Sequence, residues 1–587
     1  METVLFSNVK RLYDNELYSC VIPAASMLST LLLNDRMVAT PEMEYQVLLF
    51  QGNSYFNERR FRLAFKYLDS ALLMRKAMIR YKNSHLAAIE NTYDHFTDIE
   101  TRYRLAICYR ELGEPNSAIV TLQSIPTKSR SPKINMLLGK LLHHSPSANT
   151  TEATLAYKDV LRECPMAIDA ISSLLQIGVD GIEVNSLVVN ASSVPKNIEW
   201  LSSWIKGHAQ MYGRKHLEAS KTFQAINENT KFHQNEFLLA MIGKCLYFYG
   251  SFPQAQQYLE TAAMISPYST EPIMPLAVVY DYNQKHQELD KLTSQLTNIN
   301  EFSSEHWFVL AQGIFTSGKL EKASYFTHKA ISVDPRNVEA HLLRGKIFLQ
   351  LKRHKDAIYF FRTAQSIANY RFEVYKGLFG CYVGLKRIKE AQTLCALAVR
   401  YFRNSPRSYI MFARTLFYSS NPLAKNGAKK FVSKALEIDE HYSPAVALMA
   451  ELCQAEGETQ QAIALLKKQV VSYPHCKLFT MLGDILSAEK DLEGALEYYT
   501  IALSMEPTYH RALEGVNALG QASRSAAKQE DSSMAISTSQ DEEWPIECDE
   551  PSIEAVELSS PAVANDDAES DTFSDPFWQD VDAELTN

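Results

Sequence analysis

Small and large apolar residues recur at the same places every 34 residues through the second half of this chain. In the stretch FTMLGDILSAEKDLEGALEYYTIALSMEP they are Phe479, Leu482, Gly483, Leu486, Ala495, Tyr499, Ala502 and Pro507. Leu239, Ile242, Gly243, Leu246, Ala255, Leu259, Ala262 and Pro267 keep the same register, as do His341, Gly345, Phe348, Ala357, Phe361 and Ala364. Blocks beginning near Glu236, Thr270, Ser304, Val338 and Phe372 step by 34 without a slip. A fixed period of this length demands supersecondary units that bury their apolar faces on one another.

Within one unit the large residues fall at i, i+3, i+4 and i+7, which predicts two amphipathic helices of about three turns each. Gly483 with Ala495, and Gly345 with Ala357, supply small residues where two backbones cross. The closing Pro ends the second helix, because it lacks an N–H and clashes with the preceding turn. This is the tetratricopeptide pattern. The predicted fold class is all-α: a right-handed tetratricopeptide-repeat superhelix, an α-solenoid, of about 13–14 helical hairpins.

Upstream the pattern is fainter. Leu48, Gly52, Tyr55, Ala64, Leu68 and Ala71 fit one unit, and Met166–Pro195 and Asn197–Asn229 read as two degenerate ones. Arg80–Asp98 breaks the register and reads as an inserted loop or stray helix. Three extra residues around SSNPLAKNG are expected in the turn between two helices. The organisation expected is a degenerate half at 1–235, a regular array with a capping helix at 236–529, and a disordered acidic tail at 530–587.

Composition supports a soluble, intracellular chain: hydrophobic residues make up 46% and charged ones 22% of 587 residues. No window reaches the ~18 uncharged apolar residues of a membrane span. The apolar run Val21–Leu33 contains Pro23 and reads as a packed helix. The nine cysteines are scattered, without C-x-x-C or zinc-type spacing, which fits a reducing compartment. Asn149 and Asn190 match a glycosylation pattern by chance.

The net charge of −9 hides an asymmetry. Ser525–Asn587 holds 18 Asp and Glu against Lys528 alone, a balance of −17, and the rest holds 50 acidic against 58 basic side chains, +8. Without a contiguous Lys/Arg block, no nucleic-acid partner is expected. Phe573, Phe577 and Trp578 lie among the acids of the tail, which reads either as a short binding motif or as a solubilising extension.

No constellation for catalysis is present. The pairs Gly139-Lys140, Gly243-Lys244 and Gly345-Lys346 lack the remainder of a phosphate loop and sit at the small-residue position of the repeat. The adjacent His143 and His144 are expected in a surface turn. We therefore expect a chain that is not an enzyme, with no cofactor and no metal. What remains is recognition. The inward positions of the first helix of successive hairpins include Gln312, Phe315, Lys346, Lys376, Arg407 and Arg414, followed by Glu451 and Asp484. The basic four among them, Lys346, Lys376, Arg407 and Arg414, could receive a carboxylate or an acidic peptide. The alternative is a solvated groove with incidental charges.

Particular stretches go beyond the generic repeat. SPKINMLLGKL (131–141), AYKDVLRECPMAIDAI (156–171), WLSSWIKGHA (200–209), SMLSTLLL (26–33) and YYTIALSMEP (498–507) resemble the subunit 7 family of the anaphase-promoting complex. The resemblance implies a non-catalytic scaffold subunit of a cullin–RING ubiquitin ligase that drives mitotic progression, in nucleus and cytoplasm. It implies a homodimer formed through the amino-terminal half, a Cdc27-like tetratricopeptide subunit as neighbour, and activator or substrate tails as further ligands. The apolar first hairpins, with Leu28, Leu31 and Leu32, are the expected dimer interface. No membrane partner is expected. The competing reading is a free-standing tetratricopeptide adaptor for chaperone or trafficking cargo.

Overall fold

The computed structural model describes residues 2–529, apart from 35–39, 82–84, 146–148, 192–198, 268, 284, 298–302, 418–421, 473 and 508. The described residues form fourteen antiparallel helical hairpins in chain order, from Glu2–Asp14 with Tyr18–Asn34 to Cys476–Ala488 with Leu492–Met505. A further helix, His510–Gln529, follows the last hairpin. No strand occurs among the described residues. The expected capping helix is in place: Ala512 and Leu519 join the same buried cluster as Leu482, Tyr499 and Ala502. The expected tail at 530–587 lies outside the described residues.

Local chemistry sets each helix boundary. Asn235 and Asn337 accept from the backbone N–H groups of Leu238 and Ala340, satisfying donors that a helix start leaves open. Turns between paired helices commonly span three residues with the middle one left-handed. Gly318 and Gly457 fill that position in two hairpins, and Lys352, Lys386 and Lys490 fill it in three others.

Two kinds of interlock hold successive hairpins. The Phe361 ring lies against Gly345 of its own hairpin and Gly377 of the next. A β-carbon added at either glycine would stand 2.7 or 2.3 Å from ring carbons. Tyr499 is clamped in the same way between Gly483 and Gly515. The glycines therefore admit a ring that is itself fully buried, Phe361 at 1% and Tyr499 at 2% exposure. The first helix of a hairpin also buries more than the second. Val338–Gln350 contributes eight buried residues and His354–Ile367 three, as inner and outer rows of a solenoid require.

One apolar cluster runs continuously from Ala106 to Ile347, across the change in repeat regularity near 235. Two expectations need correction. The extra residues near SSNPLAKNG lengthen a helix rather than only the turn: Pro422–Ile438 has 17 residues where its counterparts have 14. Pro422 starts it at a position where a missing N–H costs nothing. The run Val21–Leu33 is helical as expected, but Leu28 and Leu32 are 0% and 2% exposed and belong to the chain's own core. Leu31 is half-buried.

The inserted segment Arg80–Asp98 forms a short helix, Leu86–Glu90, and a 3₁₀ turn, Asp94–Phe96. Phe96 packs edge-on against Phe50 at 5.3 Å, and Phe50 packs on Tyr13 at 4.8 Å, so the insertion plugs the first two hairpins. None of the described helices is long and apolar enough to cross a membrane.

Because Phe361 cannot retreat from one glycine without meeting the other, Gly377→Ala should destabilise despite the better helix propensity of alanine. Overpacking of this kind costs about 1–3 kcal/mol, against about 1 kcal/mol gained from propensity. Thermal unfolding should show a lower midpoint; an unchanged or raised one would contradict the clamp.

Candidate protein-interaction surface

The expected basic strip is already matched with acid from its own array. Lys346 faces Asp281, whose carboxyl is raised by burial and lowered by Lys346 and His286. Gln312, 1% exposed, donates from Nε2 to Asp281 Oδ2 at 2.9 Å. Arg414 faces Glu451, whose carboxyl burial raises while Arg414, Lys477 and Arg511 oppose it. Asp484 pairs with Arg511 at 2.9 Å and accepts from Tyr499 Oη at 2.7 Å. Lys376 is half-buried on helix Phe372–Gly384, and Phe315 is buried.

Arg407 is placed differently from the expectation. Its guanidinium is stacked over Phe372 at 4.5 Å and bonded to Glu373 Oε1 at 3.1 Å, leaving the side chain 11% exposed. It is thereby a member of an interior ion network centred on Arg371. Arg371 Nη1 donates to Glu339 Oε1 at 2.7 Å, Nε to Glu373 Oε2 at 3.0 Å, and Nη2 to Tyr247 Oη at 3.1 Å. Its plane covers Phe248 at 4.2 Å. Burial opposes ionisation throughout, yet the charges settle each other. Against burial, Arg371 and Arg407 hold the Glu373 carboxyl down at about 2. Glu339 and Tyr247 hold Arg371 well above its ordinary range.

This network joins hairpins far apart in sequence, since Tyr247 and Arg371 are 124 residues apart. Other contacts run beside it. His216 Nε2 bonds to the Tyr370 carbonyl at 3.1 Å, which can only accept, so that nitrogen carries the proton. Tyr212 meets Tyr370 edge-on at 5.1 Å, and Arg214 lies over the Tyr401 ring at 4.2 Å. Arg336 Nη1 reaches the carbonyl of His143 at 3.5 Å. The pair His143 and His144 therefore ends helix Pro132–His144 at a contact between distant hairpins, instead of occupying a turn. Among the described residues no group of three His, Cys, Asp or Glu side chains is placed to hold a metal ion.

Sequence reasoning missed Arg371 because it precedes helix Phe372–Gly384, outside the inward positions of the repeat. It also missed a concentration of charge. Residues 341–436 contain 19 Lys and Arg against Asp356, Glu373 and Glu390, a balance of +16, although no run of them is contiguous.

A continuous stack of hairpins, closed on itself by interior polar contacts and presenting charged helix faces and turns, defines a tetratricopeptide-repeat solenoid. Tetratricopeptide-repeat profiles match residues 307–372, 100–129 and 477–509. The chain belongs to the anaphase-promoting complex subunit 7 family. The Homo sapiens anaphase-promoting complex subunit 7 is 30% identical over 505 residues, covering 85% of this chain and 89% of that one. Anaphase-promoting complex subunit 3 of Schizosaccharomyces pombe is 21% identical over 313 residues, 53% of this chain and 46% of that one. The crystal structure of the APC/C hetero-tetramer Cut9–Hcn1 shares the fold, with a TM-score of 0.55 at 14% identity, covering 88% of this chain and 96% of that one.

Removing Arg371 alone would leave Glu339 without a cation, a change that costs about 3–5 kcal/mol for buried pairs, while Glu373 keeps Arg407. Arg371→Leu should lower the unfolding midpoint markedly, and adding Glu339→Gln should recover part of the loss. No recovery in the double variant would show that the charge pair is not what the arginine serves.

Acid should loosen the same region. Burial holds His216 at about 4, below its ordinary 6.5, so the unfolded chain binds the extra proton between those values and stability falls as pH drops through that window. Glu373, held at about 2 against an ordinary 4.5, adds a loss between those values. Unfolding midpoints measured from pH 7 down to pH 4.5 should fall in the native chain. The fall should be shallower in His216→Gln, and equal slopes would contradict the assignment.

Proposed function

We propose that this chain serves as a non-catalytic scaffold subunit of the anaphase-promoting complex, carrying other subunits on an extended helical surface. The observation that carries this reading is the 30% identity with the human subunit 7, which runs through 505 residues and covers 85% of this chain. Its partners are other subunits of the complex, among them a Cdc27-like tetratricopeptide subunit, and it works in nucleus and cytoplasm.

A second copy of the chain docks on the first hairpins. Since Leu28 and Leu32 are interior, the face offered is the opposite side of helix Tyr18–Asn34, where Met27 and Leu33 are 64% and 72% exposed and Leu31 is half-buried. Activator or substrate tails, if they enter the groove at Lys346, Lys376, Arg407 and Arg414, would compete with the array's own carboxylates at Asp281, Glu373 and Glu451. The free-standing adaptor reading loses its ground to a match that covers 85% of this chain and 89% of the human subunit.

The test is purification of a tagged copy from dividing cells. Stoichiometric recovery of a cullin, a RING subunit and several tetratricopeptide subunits is expected, and recovery of chaperones or trafficking proteins in their place would refute the reading. Light scattering on the same material freed of partners should give twice 66.5 kDa, and Met27→Glu with Leu31→Glu should halve it. A native chain already monomeric at micromolar concentration would remove the dimer.

A further inference from the structure

The loops Asp334–Asn337 and Ala368–Arg371 lie one 34-residue period apart, and both reach across a seam to hairpins far earlier in the chain. At the second loop the crossing charge is matched, since Arg371 meets Glu339 and Glu373. At the first loop it is not. Arg336 is half-buried, and its guanidinium makes one long contact, from Nη1 to the backbone carbonyl of His143 at 3.5 Å. Among the described residues no carboxylate pairs with it. Asp334 acts on it through space but has one oxygen on the backbone N–H of Arg336 at 3.0 Å. Burial lowers Arg336 in spite of Asp334, Tyr157 and Tyr370, the opposite of what the matched Arg371 shows.

Around this guanidinium the seam collects donors. The imidazoles of His143 and His144 stand 5.6 Å apart, with their planes inclined by 48°, at the end of helix Pro132–His144. The seam desolvates both rings and Arg336 repels their protons, which holds each at about 4 against an ordinary 6.5. His143 and Lys140 press further on His144, while Asp169 is taken by Lys140 at 2.6 Å. Tyr157 is wholly buried within the field of Arg336. Its hydroxyl closes no hydrogen bond, for the neighbouring Ser173 Oγ is turned to the Asp169 carbonyl at 2.7 Å.

We propose that Arg336, His143 and His144 form a binding site for a phosphate group, free or carried on a phosphorylated residue of a partner. The donors favour phosphate over a carboxylate. A guanidinium and two inclined imidazoles present N–H groups in more than one plane, whereas a carboxylate accepts with two oxygens in a single plane. A phosphoryl group offers three acceptor oxygens and close to two negative charges. With such an anion between the imidazoles and Arg336, the repulsion at the rings gives way to attraction, so binding takes up protons. The site bridges chain segments 193 residues apart, so an occupant also ties distant hairpins together.

Histidine ring NMR on the full chain carrying [2-¹³C]histidine provides the test, with His143→Gln and His144→Gln assigning the two lines. Without phosphate both lines should keep their neutral positions down to about pH 5. With inorganic phosphate in excess at constant ionic strength, both should titrate with midpoints of about 5 or higher. Midpoints that do not move, or that move as far with acetate or chloride, would overturn the proposal, and this comparison needs no variant to fold. In Arg336→Gln the phosphate-free midpoints should lie higher, since a repelling charge is gone, and phosphate should no longer move them. A full phosphate response in that variant would equally overturn the site. The same lines separate the sources. A phosphoserine peptide that saturates them at about a tenth of the inorganic phosphate concentration, some 1.4 kcal/mol, supports a partner's phosphorylated residue, and equal concentrations support the free ion.

Discussion

Arg371 carries its charge in the interior of a fold otherwise held by apolar contacts, and that charge has partners on three hairpins. Glu339 and Glu373 come from the hairpin before and the hairpin it begins, and Tyr247 comes from much earlier in the chain. A solenoid of stacked pairs is in principle open, because each hairpin touches only its neighbours. The Arg371 network, flanked by His216 on the Tyr370 carbonyl and Arg336 on the His143 carbonyl, adds contacts that the stack alone does not require. A buried ion pair is weak evidence of added stability, since desolvation offsets much of its attraction. Its geometry is nonetheless demanding: the guanidinium is satisfied only when hairpins more than a hundred residues apart stand at one separation. The network thus fixes the pitch of the superhelix, and with it the relative placement of every outward face.

A fixed pitch is what a scaffold needs. Partners that bind several turns of the array are positioned relative to each other only as well as the array is rigid. The interlock of Phe361 between Gly345 and Gly377, and of Tyr499 between Gly483 and Gly515, sets the angle from one hairpin to the next. The polar contacts between distant hairpins then limit how far those angles can drift together. The charges show the same division of labour. Lys346, Arg407 and Arg414 face the array's own carboxylates, whereas Lys352, Lys355, Lys386 and Lys389 are exposed at turns and helix starts.

The repeat itself was legible in the sequence to the level of single residues, because the 34-residue period is a direct consequence of one hairpin burying its face on the next. Gly345 and Phe361 are readable for that reason. What the period cannot encode is contact between hairpins that are not neighbours, and Arg371 and His216 belong to that class. The inward-position rule put Arg407 on the first helix correctly but said nothing of Glu373 one period earlier. Leu28 and Leu32 were read as an interface because a degenerate apolar helix looks the same whether its leucines serve its own core or a second copy. The basic band escaped notice for a related reason: cations aligned by stacking are 34 residues apart in sequence, so no contiguous run marks them.

Native-state hydrogen exchange followed by mass spectrometry on the full chain tests the closure most directly. Helices Glu236–Tyr249, Val338–Gln350 and Phe372–Gly384, which share the Arg371 network, should open with a common free energy and lose protection together when the network is acidified. Should Glu236–Tyr249 exchange on its own, at a lower free energy than Phe372–Gly384 and without responding to pH, the array would be an open stack. Its pitch would then be set by neighbours alone.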